Sequence, residues 1–268
     1  PEPRLPANSP GLTAGGFSDK LRVLDLFSGI GGFSLGLERT GGFSTVAFCE
    51  IEPFPRRVLA KHWPEVPCYD DVRTLTADVL RRDGIAVDVI TGGFPCQDLS
   101  VAGKQRGMGE GTRSGLWSEI VRLVGELRPQ YVIVENVAAL LAGPSERRGG
   151  WFGRVLGDLA ECGYDAEWQR LPACVAGNPI FRDRVWLAAF PVQVGCANMG
   201  KQISLVAQSI IDAGLATAKR KRMDKSAFFG VGNGLPGELD RLAACGNAVV
   251  PQIPELIGRA ILQARQAE

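Results

Sequence analysis

The chain has 268 residues, 45% of them hydrophobic, and a formal net charge of +1. That length and composition fit one large domain, or one domain with a small appendage, and exclude a chain too polar to bury a core. No apolar run approaches the ~20 residues that cross a bilayer, no secretory signal is visible, and the balanced charge makes its distribution more informative than its sum.

Residues 1–19 are rich in Pro, Gly, Ser and Ala without periodicity and read as a disordered lead-in; Pro1 in place of Met points to a trimmed N-terminus. From residue 22 the pattern alternates. A strand over 22–27 precedes a helix over 31–39, a strand over 45–49 and a helix around 53–61. A short strand near 68–72, a helix over 74–82 and a strand over 87–91 follow. After a glycine-rich loop at 101–114 come a helix over 115–127, a strand over 131–135 and a helix over 151–162. Such alternation predicts an α/β fold with a mostly parallel sheet covered by helices on both faces. Beyond Gly163, residues 166–172 and 184–189 read as a strand pair at the far edge of that sheet. Residues 191–229 have weak periodicity, and GNAVVP at 246–251 introduces a helix over 254–264.

Seven cysteines (Cys49, Cys68, Cys96, Cys162, Cys174, Cys196 and Cys245) lack framework spacing, there is no CxxC, and His62 is the only histidine. Structural zinc is therefore not expected, and reduced thiols in a cytoplasmic protein are. Residues 201–225 hold six Lys and Arg, including Lys219, Arg220, Lys221 and Arg222, against Asp212 and Asp224. That run suits phosphate contacts or an ordinary solvated helical face equally.

Three strand-like runs end in residues with chemical character. The first closes on Asp25-Leu26-Phe27-Ser28-Gly29-Ile30-Gly31-Gly32. A strand, a glycine turn and a helix place backbone N–H groups beside a ligand, and glycines 29, 31 and 32 remove side chains that would block it. Glu50, followed by Ile51, ends the second strand at about the ~20-residue distance from which an acid binds ribose hydroxyls. Asp71, before Val72, ends the third and is placed to reach an adenine amino group. The glycine loop alone does not separate NAD from S-adenosylmethionine, nor a ligand site from a plain tight turn.

The second run closes on Gly92-Gly93-Phe94-Pro95-Cys96-Gln97 and the third on Glu135-Asn136-Val137. Neighbouring strands lie ~5 Å apart, so a thiol and a carboxylate share one sheet edge. A lone cysteine there is more often a small buried hydrophobe; Glu135 as the terminal residue of its strand distinguishes Cys96. Arg182 and Arg184 alternate with Phe181, Asp183 and Val185, which puts both guanidinium groups on one strand face. Together these parts suit alkylation of cytosine. The C5 atom is a poor nucleophile until a thiolate adds at C6. A carboxyl group at N3/N4 and an arginine at O2 would stabilise the charge that this addition builds.

With these residues in view, the chain resembles the C5-cytosine-specific DNA methyltransferases over most of residues 21–190 and 241–265. The segments that carry the resemblance run in the family's order: DLFSGIGGF at 25–33, Glu50, Asp71-Val72, GGFPCQDLS at 92–100, GKQRG at 103–107, Gly115-Leu116-Trp117, Glu135-Asn136-Val137, Arg182-Asp183-Arg184 and GNAVVP at 246–251. The resemblance implies a Rossmann-like S-adenosylmethionine-dependent methyltransferase fold. It implies Cys96 as nucleophile, Glu135 at N3/N4 of the base, and Arg184 with Arg182 on the base and nearby backbone. Phe27, Gly29, Gly31, Gly32, Glu50, Ile51, Asp71, Val72, Pro95, Leu116 and Asn247 would line the S-adenosylmethionine pocket, with S-adenosylhomocysteine as product. The loop over 100–111, with Lys104 and Arg106, would close over double-stranded DNA, where Gln97 and Ser100 also lie.

The implied organisation is a catalytic and cofactor-binding domain over 20–190, a reduced target-recognition segment over 191–240 and a C-terminal part, 241–268, packing back on the sheet. Three features depart from the family: Ile180 stands where it usually has Gln, the recognition segment is short, and of the arginine-centred motif that usually anchors that segment Asp240-Arg241-Leu242 is at best a remnant. A monomer in the cytoplasm, with a restriction-system partner, completes the expectation. The same residues leave room for an RNA cytosine, a modified sulfonium donor, a catalytically silent nucleic-acid-binding homologue and a dinucleotide oxidoreductase.

Overall fold

The structure is a computed structural model that describes residues 20–95, 116–141, 150–173, 182–192 and 246–266. Its strands are β1 (Leu21–Leu26), β2 (Phe43–Cys49), β3 (Cys68–Tyr69), β4 (Val89–Gly92), β5 (Tyr131–Val137), β6 (Tyr164–Pro172) and β7 (Asp183–Pro191). The helices are α1 (Gly32–Glu38), α2 (Pro53–His62), α3 (Ala77–Arg82), α4 (Trp117–Leu127), α5 (Gly150–Glu161) and α6 (Gln252–Gln266). One sheet contains all the strands, in the order β3-β2-β1-β4-β5-β7-β6. The first five run parallel, while β7 is antiparallel to both β5 and β6. The strand pair expected at the far edge is there, with β7 on the inside of it.

Alternation along the strands divides the core into two layers. Leu24, Leu26, Ile90, Val132 and Val134 face α3, α4 and α5, where Leu80, Ile120 and Leu159 meet them. Val23, Val89, Ile133 and Trp186 face the other way, onto Phe33 and Leu37 of α1 and Ile257 and Ile261 of α6. Burial on both sides explains why β1, β4 and β5 are near-continuous apolar runs.

The helix ends follow local chemistry. Thr76 caps α3 by accepting the Val79 N–H through Oγ1 (3.2 Å). At its end α4 turns through Arg128 in the left-handed region (φ 50°), just before Pro129. Helix α1 contains Gly36, and a Cβ there would lie 2.1 Å from the Pro251 carbonyl oxygen and 2.9 Å from Pro254 Cβ. Its bare backbone is what lets the segment leading into α6 come so close.

Two boundaries differ from expectation in ways that bear on the site. Strand β3 stops at Tyr69, so Asp71 lies beyond it in a turn where its carbonyl accepts the Thr74 and Leu75 N–H groups. Strand β5 runs two residues past Glu135, because β7 continues the ladder through Val137↔Arg184 after β4 has ended.

Candidate active site at the carboxyl edge of the sheet

Register across the parallel strands sets the site out as a row. Leu26 pairs with Cys49 on one side and Gly92 on the other, and Gly92 pairs with Val134. The next residue on each strand is therefore Phe27, Glu50, Gly93 or Glu135. The strand order reverses between β1 and β4, the switch point where open α/β sheets bind ligands.

On the β1–β2 side, the loop after β1 is held by Glu50, which is 7% exposed. Its Oε2 accepts the Gly29 N–H (2.7 Å) and its Oε1 the Glu52 N–H (2.8 Å). Ser28 adds a bond from its hydroxyl to the Asp25 carbonyl (2.5 Å) and accepts the Cys49 N–H (3.3 Å). Phe27 adopts a left-handed backbone (φ 52°), rare for a bulky residue and strained by about 1–2 kcal/mol. The glycines divide in purpose. A Cβ on Gly29 would meet nothing within 4 Å, so that position opens onto free space. On Gly31 a Cβ would collide with the Trp63 ring at 2.7 Å, and on Gly32 with the Val249 carbonyl at 2.4 Å. Gly29 therefore borders open space, whereas the other two make room for the protein's own atoms.

These groups suit a nucleoside. Each carboxylate oxygen of Glu50 accepts one bond from the chain and retains a lone pair for a hydroxyl, and the adjoining Ile51 is an apolar side chain 60% exposed. Asp71 is turned to Arg73, whose Nη2 is 2.7 Å from Asp71 Oδ2, and that pairing holds its carboxyl below the usual range. Val72 and Leu116 contribute to the core beneath, and Asn247 is exposed, its carbonyl accepting a bond from Arg182 Nη2 (3.1 Å).

On the β4–β5 side lies Glu135. Its Oε1 is 2.9 Å from Arg184 Nε and 3.7 Å from Arg182 Nη2. The arginines share a strand face as expected, and that face is the one carrying Glu135. Burial pushes the carboxyl above its ordinary range, and the two guanidinium groups pull it partly back. A Cβ on Gly93 would sit 3.4 Å from Glu135 Oε2, so the backbone leading to Cys96 passes directly over the carboxyl. Glu135 lies inside its strand, yet it is past the end of β4, and this keeps it at the edge.

Two further residues organise the site, and the sequence motifs that contain them gave neither a role. Asn136 Nδ2 donates to the Phe94 carbonyl (3.2 Å), tying β5 to the Gly93–Pro95 loop. Asp25, fully buried in β1, accepts Ser34 Oγ–H (2.8 Å) and Thr91 Oγ–H (2.8 Å), joining α1 to β4, and burial raises its carboxyl to about 7. An acid between two apolar strand residues, with a hydroxyl at the matching register of β4, was the available signal. Cys96, Gln97, Ser100, Lys104, Arg106 and the basic run Lys219, Arg220, Lys221 and Arg222 lie outside the described residues. Among the described residues no cluster of His, Cys, Asp and Glu could hold a metal, and no helix is long and apolar enough to cross a membrane.

The strand order, with an antiparallel β7 between β5 and β6 and a row of polar and glycine residues at the carboxyl edge, defines an S-adenosylmethionine-dependent methyltransferase fold. The crystal structure of the Schizosaccharomyces pombe Dnmt2 methyltransferase superposes with a TM-score of 0.60 at 15% identity, covering 91% of this chain and 99% of that one. In sequence, the C-5 cytosine-specific DNA methylase family matches residues 21–212, and the chain belongs to that family. The type II methyltransferase M2.BsuMI of Bacillus subtilis is 36% identical over 173 residues, 63% of this chain and 42% of that protein. M.Sau3AI of Staphylococcus aureus is 35% identical over 187 residues, 64% of this chain and 44% of that one. The chain thus spans under half the length of these two relatives.

Proposed function

We propose that this chain carries the catalytic sheet of a DNA cytosine-5-methyltransferase, acting on a cytosine swung out of double-stranded DNA. The observation that supports it most is the Glu135 carboxyl, buried against Arg184 and faced by the Gly93 backbone in the loop that runs into Cys96. Extrusion is required because C6 is otherwise covered by its stacked neighbours.

The Cys96 thiolate adds to C6 and turns the ring into an enamine nucleophilic at C5. Glu135 grips N3 and N4; its raised affinity for a proton suits it to supply one to N3 as charge accumulates there. Arg184 offers N–H donors to O2. S-adenosylmethionine, when bound, supplies the electrophilic methyl group and leaves as S-adenosylhomocysteine. The Phe27–Gly32 loop, Glu50, Ile51, Asp71, Val72, Pro95, Leu116 and Asn247 hold it on the β1–β2 side. Loss of the C5 proton then expels Cys96 and restores the ring. Lys104, Arg106, Gln97, Ser100 and the 219–222 run meet the DNA. The reading places the protein as a monomer with DNA in the cytoplasm, and its resemblance to type II methyltransferases suggests a cognate nuclease.

The test is a trap. Incubated with S-adenosylmethionine and duplex DNA carrying 5-fluorocytosine, the protein should form an adduct that survives denaturing electrophoresis, since fluorine cannot leave as a proton does. Cys96→Ser should abolish it. Failure of the wild-type protein to form an adduct on DNA of any sequence, while 5-fluorocytosine RNA does, moves the assignment to RNA; failure on both overturns it.

A further inference from the structure

Arg182 stands where the resemblance expects a second contact to the target base, yet its donors go elsewhere. Nη1 donates to the carbonyls of Gly246 (2.9 Å) and Ala248 (2.5 Å), and Nη2 to that of Asn247 (3.1 Å). The same Nη2 lies 3.7 Å from Glu135 Oε1. Three consecutive main-chain carbonyls and one carboxylate therefore converge on a single planar fork, and the side chain is only 14% exposed. Such a fork fixes geometry in a way that a point charge cannot.

The segment it holds is anchored on its other side by α1, because the Val249 carbonyl occupies the space a Gly32 side chain would need. A continuous path runs from Glu135 through Arg182 and residues 246–249 to Gly32, at the start of α1 beside the glycine loop. We propose that Arg182 is a positioning residue that sets the spacing between the acid that grips the base and the loop that holds the methyl donor. Such a spacing matters because transfer demands near-contact of donor and acceptor atoms, and a misplacement of ~1 Å can cost ~100-fold in rate. The inference rests on the proposed function for the identity of the two ends, but the joint itself can be read without DNA.

Three measurements on the full chain test it. The first is the dissociation constant for S-adenosylhomocysteine by calorimetry. The second is the pH midpoint of single-turnover methyl transfer to duplex DNA, and the third is the melting temperature. Arg182→Gln should weaken S-adenosylhomocysteine ~10-fold and raise the pH midpoint, since one of the cations beside Glu135 is lost. Arg182→Lys should bring the midpoint back toward wild type while leaving cofactor binding weak, because one ammonium supplies the charge without the fork. Gly32→Ala displaces the same segment from its opposite side and should move the same midpoint, so the test survives an Arg182 variant that does not fold. Unchanged S-adenosylhomocysteine affinity in both Arg182 variants, with methyl transfer alone reduced, would show a base contact and overturn the proposal. If the wild-type protein transfers no methyl group but Arg182→Gln still weakens S-adenosylhomocysteine, the function fails and the joint stands.

Discussion

Arg184 Nε lies 2.9 Å from Glu135 Oε1, and the two side chains are 22% and 10% exposed. The pair is too buried to be a solvated ornament and too close to the sheet edge to be core. Breaking it leaves a mostly buried carboxyl without its nearer cation.

Arg184→Ala should therefore act on both stability and chemistry. Loss of one partner of a buried ion pair costs ~3–5 kcal/mol, to be read from urea unfolding. With its nearer cation gone, Glu135 is held still further above its ordinary range, because burial is the larger influence and is then less opposed. The pH midpoint for single-turnover transfer should shift upward, and the transfer rate at neutral pH should drop.

Glu135→Gln and Glu135→Ala should separate. Glutamine offers N–H donors at the base edge but cannot pass a proton, so its pH profile should flatten at reduced rate. Alanine removes both and should lose ~100- to 10,000-fold, the usual range for a missing general acid. Rates close to wild type in both variants, measured by rapid quench, would remove Glu135 from the chemistry.

Asp25 gives a stability prediction with a definite sign. Its folded-state value of about 7 lies above its ordinary 3.8. The native state therefore binds more protons than the unfolded chain between those values, and the contribution of Asp25 to stability falls as pH rises through that window. Below about pH 4 no penalty applies, and above about pH 7 all of it does. Asp25→Asn should flatten this part of the stability curve, seen as the difference between wild type and variant in unfolding experiments at pH 5, 6 and 8. A constant difference across that series would contradict the assignment.

Arg122 on α4 donates from Nη2 to the carbonyls of Val72 (2.9 Å) and Leu75 (2.8 Å) and is paired with Glu119 and Glu126. Arg122→Met keeps the aliphatic stem but leaves those two carbonyls unsatisfied, at ~1–3 kcal/mol for each one that water cannot reach. Chemical denaturation should show the loss, and amide exchange should quicken in residues 72–76.

Gly36→Ala tests close packing against intrinsic preference. Alanine in a helix interior gains ~1 kcal/mol over glycine, so sequence alone predicts stabilisation. The new methyl would meet the Pro251 carbonyl at 2.1 Å, and overpacking of that kind costs ~1–3 kcal/mol. Net destabilisation in thermal unfolding is expected.

The alternation of apolar strands with helices made the parallel sheet legible, since strands buried on both faces leave few polar residues to confuse the period. The strand-end positions of Phe27, Glu50 and Gly93 were legible for the same reason. What pattern reasoning missed depends on contacts distant in sequence. The extension of β5 past Glu135 exists because β7, nearly fifty residues later, supplies a partner. Gly31 and Gly32 read as ligand-clearing because a local motif cannot show that Trp63 and Val249 fill the space. The three carbonyls that Arg182 reaches lie 64–66 residues away and likewise leave no trace in its neighbourhood.

The packing of α6 on α1 also bears on how the chain is made. Ile253, Ile257 and Ile261 complete a core layer whose other members include Phe33, Leu37 and Phe43. A nascent polypeptide still short of residue 252 has synthesised that oily surface but not yet its cover. Until α6 is made, one side of the sheet is left sticky, a state prone to association. That layer closes only when α6 has returned to α1.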